Sequence, residues 1–116
     1  MSVKDYGFFK DLSIEAVEGQ SVTLPCAARG SEPDKSAEAI EWYRLSDRER
    51  IRVIKSFNRK VRTAGQYKDR AQLDTARQNG SLLLERVRPS DGGVYECIVT
   101  LAHNVKKSST LSLQVV

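Results

Sequence analysis

The chain has 116 residues, 40% of them hydrophobic and 29% charged, with a formal net charge of +4. That length suits one domain with a single sheet-on-sheet core, and the composition is neither that of a disordered segment nor that of a membrane-embedded one. No apolar run approaches the ~20 residues that cross a bilayer, no secretory signal precedes the first strand, and so modest a charge does not by itself indicate nucleic acid. Met1 is expected to be an added initiator on a single domain spanning residues 1–116, with a native signal and any anchor trimmed away.

Residues 3–11 carry Tyr6, Phe8 and Phe9 without clean alternation and read as an irregular edge strand interrupted at Gly7. Leu12 to Val17 alternates weakly and runs into a turn at Glu18-Gly19-Gln20. Val22, Leu24 and Cys26 share one face of the next strand, where Pro25, lacking an amide donor, must face away from the ladder or lie at a bulge. Residues 27–37, rich in Gly, Ser, Glu, Pro and Asp, read as a loop.

The following strand turns Ile40 and Trp42 inward and Glu41, Tyr43 and Leu45 outward. Ser46 to Glu49 is a turn into a strand over Ile51 to Phe57, and residues 59–68 hold a further strand and the approach to another. Asn79-Gly80 is a strong hairpin dipeptide, after which Leu82, Leu84 and Val87 give a strand whose register changes near Glu85.

Asp91-Gly92-Gly93 suits a tight turn, since Asp can bond its own backbone and Gly accepts positive φ. Then Tyr95, Cys97, Val99 and Leu101 alternate with Glu96, Ile98 and Thr100, the period-two signature of a half-buried strand. A turn over Ala102 to Lys107 precedes a last strand, Ser109 to Val116, with Leu111, Leu113 and Val115 on one face.

The set Cys26, Trp42, Asp91-x-Gly93-x-Tyr95-x-Cys97, in that order and spacing, resembles the immunoglobulin superfamily. The resemblance implies an all-β, two-sheet Greek-key β-sandwich in which Trp42 packs on a disulfide between strands B and F, and Tyr95 forms a corner. Both cysteines fall on predicted inward positions, so Cys26–Cys97 is the expected bond, and an extracellular or cell-surface compartment follows.

About 70 residues lie between the two cysteines, more than a constant-type domain needs and enough for the extra C′–C″ hairpin of a V-set domain. The expected architecture is V-type, about nine strands, A-B-E-D against G-F-C-C′-C″. Tyr67 to Leu73 resembles the start of strand D in that family, where an arginine pairs with the aspartate of the E–F corner. This implies an Arg70–Asp91 pair. The last strand lacks the Phe-Gly-x-Gly bulge of antigen-receptor chains, and the chain resembles more generally the adhesion and co-receptor families, such as junctional adhesion molecules and myelin protein zero.

Catalysis finds no inventory here. The lone histidine, His103, falls in a predicted turn with no nucleophile placed to use it, both cysteines are committed to the disulfide, and no cofactor or metal is expected.

In this family the outer G-F-C-C′ face usually meets protein partners, which makes Tyr43, Leu45, Ile98 and Thr100, with Glu41 and Glu96, the expected contact residues, for a second copy or another cell-surface protein. The B–C loop, Arg29 to Lys35, and the F–G turn stand at one end of the sandwich, and the short F–G turn argues for a face binder.

Between Arg44 and Arg62 eight cations stand against two carboxylates. Arg48, Arg50, Arg52, Lys55, Arg59, Lys60 and Arg62 are therefore either a charged edge that blunts aggregation or a footprint for an anionic glycan or acidic protein. Sialic-acid-binding lectins of the family carry an arginine on strand F, and strand F here has none. A spacer role in a longer ectodomain is the remaining alternative. Asn79-Gly80-Ser81 also fits the N-glycosylation pattern.

Overall fold

The computed structural model describes residues 12–27, 37–58, 60–74 and 80–116. The expectations for the irregular strand at 3–11, the B–C loop, Arg59 and Asn79 lie outside these residues.

Nine strands are formed among the described residues: β1 (Leu12–Ala16), β2 (Val22–Leu24), β3 (Ala39–Leu45), β4 (Arg50–Phe57), β5 (Lys60–Thr63), β6 (Ala71–Leu73), β7 (Leu82–Leu84), β8 (Gly93–Thr100) and β9 (Lys106–Val115). One sheet runs β1-β9-β8-β3-β4-β5 and the other β2-β7-β6. From β2 to β9 these correspond to strands B, C, C′, C″, D, E, F and G. The first described strand does not lie beside β2. It pairs in parallel with β9, Leu12 opposite Leu111 and Ala16 opposite Val115.

The core lies where the two sheets face one another. Trp42, Tyr95, Cys97, Val99, Leu111 and Leu113 from the large sheet meet Leu24, Leu82 and Leu84 from the small one. Cys26 and Cys97 are bonded across the gap with Cα atoms 5.8 Å apart, and the Trp42 indole Nε1 donates to the Gly80 carbonyl at 2.8 Å, so the large core aromatic leaves no polar atom stranded.

Three local devices depart from simple alternation. β2 stops at Leu24, immediately before Pro25, whose missing amide cannot extend the ladder. Arg86, at φ 50°, changes the parity after Leu84 so that Val87 turns into the core as well. Between β3 and β4 the register shifts at Trp42/Tyr43, so that Val53 of β4 is the extra residue of a bulge and both Val53 and Ile54 are buried.

The end of the sandwich below β8 is closed by polar contacts. Arg70 bonds Asp91, the Arg88 amide donates to Asp91 Oδ2 at 2.8 Å, and the Tyr95 hydroxyl donates to the Asp91 carbonyl. Arg44 Nε donates to the Tyr67 hydroxyl at 3.1 Å beside them. These contacts tie the corner before β8, and Arg44 of β3, to the segment that leads into β6.

Candidate functional site

Antiparallel pairing stacks the outward residues of the large sheet into rows. One row reads Arg62, Lys55, Glu41, Ile98, Ser108; the next reads Arg52, Tyr43, Glu96, Thr110; a third reads Arg50, Leu45, Val94, Ser112. A fourth, at the other end, carries Lys60, Phe57, Ala39, Thr100 and Lys106. Directly opposed side chains lie close enough to touch, so each row is a set of physical neighbours.

Arg50 is the hub of the face. Its Nη2 lies 2.7 Å from Glu96 Oε1, across β3, and its guanidinium stands 4.2 Å from the centre of the Tyr43 ring beneath it. Tyr43 in turn donates its hydroxyl to Glu41 Oε1 at 2.6 Å. Burial, the hydrogen bond to Glu41 and the charge of that carboxylate hold the Tyr43 phenol above its usual pKa, against an opposing pull from Arg52. The arrangement locks a tyrosine and an arginine, side chains that dominate many protein interfaces, at the centre of the sheet.

Two of the six expected contact residues are not surface. Glu41 is 8% exposed, enclosed between Lys55 and Ile98 in its row and capped by Tyr43, and Thr100 is 9% exposed, between Ala39 and Lys106. Tyr43, Leu45, Glu96 and Ile98 are partly exposed, and Val94 and Phe57 add apolar surface to the same face.

The basic residues lie on β4 and on β5, the edge strand of the large sheet, and extend the rows of the face. Arg52, Lys55 and Arg62 continue the rows that contain Tyr43 and Ile98, and Lys60 continues the row of Phe57, while Arg50 is already paired. Arg48 lies exposed in the turn between β3 and β4. Lys55 Nζ stands 5.9 Å from the centre of the Phe57 ring.

The expected turn over Ala102 to Lys107 is shorter than anticipated. It closes with the Leu101 amide on the Val105 carbonyl, and His103 and Asn104 take positive φ, so Lys106 and Lys107 belong to β9. With Arg48, Glu49, Leu45 and Ile98 they line a concavity of about 760 Å³. Sequence reasoning missed this pair of lysines, although their adjacency was visible.

Comparison with known proteins follows this geometry. The model of the immunoglobulin V-set domain matches residues 10–116. The human cell surface A33 antigen is 31% identical over 98 residues, which make up 80% of this chain and 30% of that protein. Mouse junctional adhesion molecule-like is 32% identical over 88 residues, 72% of this chain and 23% of that protein. The chain thus spans less than a third of the length of either relative.

Among solved structures, the extracellular domains of the voltage-gated sodium channel β4 subunit superpose with a TM-score of 0.71 at 28% identity, covering 96% of this chain and 95% of that one. Those domains are described as parallel homodimers with a role in cell–cell adhesion. The first Ig-like domain of human CD48 superposes with a TM-score of 0.77 at 21% identity over 96% of this chain and 86% of that one, a likeness of fold.

Proposed function

Because the chain belongs to the immunoglobulin V-set family, we propose that it is a non-catalytic, extracellular recognition domain that binds a protein through the outer face of its six-stranded sheet, in cell adhesion or receptor–ligand contact. One observation carries this reading: Tyr43, Leu45, Ile98 and Val94 lie together on that face, framed by cations, with Tyr43 and Arg50 already held in place by Glu41 and Glu96. Apolar and aromatic surface inside a charged frame is what a protein interface presents, and side chains ordered before contact lose less entropy on binding.

Self-association is the first form of the reading to test, since the sodium channel β4 relative is described as homodimeric. Sedimentation velocity from micromolar to near-millimolar concentration would be run on the oxidised domain and on Ile98→Asp. A dimer dissolved by the substitution supports homophilic binding through the face, and a monomer throughout points to a different protein. Binding, to itself or another protein, that is indifferent to both Ile98→Asp and Tyr43→Asp overturns the face as the site.

The cations in register on β4 and β5 support a second reading, an anionic glycan laid along Lys55, Lys60 and Arg62. Exposed charges are screened over about 8 Å at physiological ionic strength, so glycan binding of this kind falls steeply with added salt, while binding centred on the apolar side chains changes little. A spacer domain would show neither behaviour.

A further inference from the structure

We infer that the concavity between the β3–β4 turn and the start of β9 receives an acidic segment of a partner protein, an apolar side chain resting on Leu45 and Ile98 while carboxylates meet Arg48 and Lys106. The inference rests on the reading of the sheet face as a binding surface and names the chemistry of what binds there.

The concavity, about 760 Å³, is large enough for a few side chains. Leu45 and Ile98 supply its apolar surface and the β3–β4 turn one wall, with Lys106, Lys107 and Ser108 opposite. Arg50 and Glu96 also border it, but their charges cancel in the 2.7 Å pair. What remains is Arg48 and Lys106 against Glu49, since Lys107 stands opposite the core-facing Val99 and not in an outward row. Neither cation enters a salt bridge among the described residues, where the ion pairs are Arg50–Glu96, Arg70–Asp91 and Arg86–Glu85. An excess of positive charge around an apolar surface favours a ligand carrying both negative charge and hydrocarbon.

That pairing of requirements selects among occupants. A sulfated glycan satisfies the cations and leaves Leu45 and Ile98 without an apolar counterpart. A second copy brings the same positive concavity, and the central carboxylates of its face, Glu41 and Glu96, are already held by Tyr43 and Arg50. An acidic protein segment with a central apolar residue meets both demands, and its charge speeds encounter.

The test is a titration of the isotope-labelled domain, followed by amide NMR shifts, with three probes: acetyl-Asp-Glu-Leu-Glu-Asp-amide, its uncharged analogue acetyl-Asn-Gln-Leu-Gln-Asn-amide, and a heparin-derived tetrasaccharide. The acidic peptide is expected to move the amides of Leu45, Ile98 and Lys106, and to lose affinity roughly tenfold when Arg48→Glu and Lys106→Glu are combined. Both side chains are exposed, so a matched thermal melt confirms that the variant is folded.

Equal binding of the uncharged peptide, tighter binding of the tetrasaccharide at the same amides, or no shift with the acidic peptide overturns the inference. If association remains sensitive to Ile98→Asp but ignores the charge reversal, the sheet face stands and the acidic partner falls. Indifference to both removes the face itself.

Discussion

Arg70 holds Asp91 with both terminal nitrogens, Nη1 to Oδ2 at 2.9 Å and Nη2 to Oδ1 at 3.1 Å. The side chains are 4% and 3% exposed, so water does little to screen either charge. Arg70 also donates to the Glu85, Arg86 and Gln66 carbonyls, tying β6 to the segments on either side of it. Removing the carboxylate would leave a buried guanidinium without its counter-ion. Asp91→Ala is therefore expected to cost about 3–5 kcal/mol in urea unfolding. A variant within about 1 kcal/mol of the parent would place the pair in the class of inconsequential surface bridges.

The same carboxyl sets the response to acid. Burial alone would raise the Asp91 pKa, but the hydrogen bonds from Arg70 and the Arg88 amide outweigh it and hold the group below its ordinary value of 3.8. A carboxyl depressed on folding adds stability that is complete well above the unfolded pKa, and that is lost as pH falls through the folded value. Urea midpoints measured from pH 6 down to about 2 should drop through and below the ordinary carboxylate range. In Asp91→Asn that drop should be smaller, from a lower starting stability. A parallel decline in both proteins would assign the acid sensitivity to other carboxylates.

Gly92 and Gly93 look interchangeable in the sequence and differ in the structure. Gly93 sits at φ +143°, where side-chain-bearing residues are strained whatever space is available, whereas Gly92 has φ −62° and a Cβ there would meet the Pro89 carbonyl at an ordinary 3.4 Å. Gly93→Ala is expected to lose about 1–3 kcal/mol, and Gly92→Ala to stay near the parent. Reversal of that order in thermal melts would mean that the turn is built differently.

The Cys26–Cys97 bond spans a sequence separation of 71. Chain-entropy reasoning gives such a loop roughly 4 kcal/mol of stabilisation, a large part of the 5–15 kcal/mol typical of a domain. Reduction under native buffer should lower the urea midpoint markedly, and Cys26→Ala combined with Cys97→Ala should reproduce the reduced protein. An unchanged midpoint would leave the hydrophobic core as sufficient by itself.

Covalent and packing anchors were legible because each residue type has few other uses in such a pattern. Two cysteines and one tryptophan on inward positions, with Tyr95 two residues before Cys97, left little freedom, and the alternation of β8 was read correctly around them. The outer face was legible only in outline. Period two says which way Glu41 and Thr100 point, but their enclosure is decided by what stands opposite on the neighbouring strands, Lys55 and Ile98 in one case, Ala39 and Lys106 in the other.

Pairing across a sheet is non-local in the same way. Nothing near Arg50 in the chain announces Glu96 as its partner, 46 residues on. The bulge at Val53 leaves only one local trace, the adjacent apolar pair Val53-Ile54 that breaks the alternation. The sequence sets the turn after β8 over Ala102 to Lys107, because His103 and Asn104 look like ordinary loop residues. Their positive φ values make it tight, and Lys106 and Lys107 move onto the strand.

The Tyr43 hydroxyl offers a direct readout of whether the centre of the face is as ordered as the geometry says. Burial is the largest cause of its raised pKa, followed by its hydrogen bond to Glu41 and the negative charge there, with Arg52 pulling the other way. Raising the pKa favours the neutral phenol, so this contribution to stability is present below the ordinary value of 10 and is lost as pH climbs through the folded one. Glu41→Gln removes the charge while keeping an acceptor, and should bring the Tyr43 phenolate transition down toward its ordinary position in an ultraviolet titration. Arg50→Ala should change unfolding stability by no more than about 1 kcal/mol, because its pair with Glu96 is half exposed on the arginine side. It should nonetheless weaken binding through the face, since Tyr43 then loses the guanidinium that stands over its ring. If Arg50→Ala leaves both stability and binding untouched, the stacked arrangement contributes nothing to recognition.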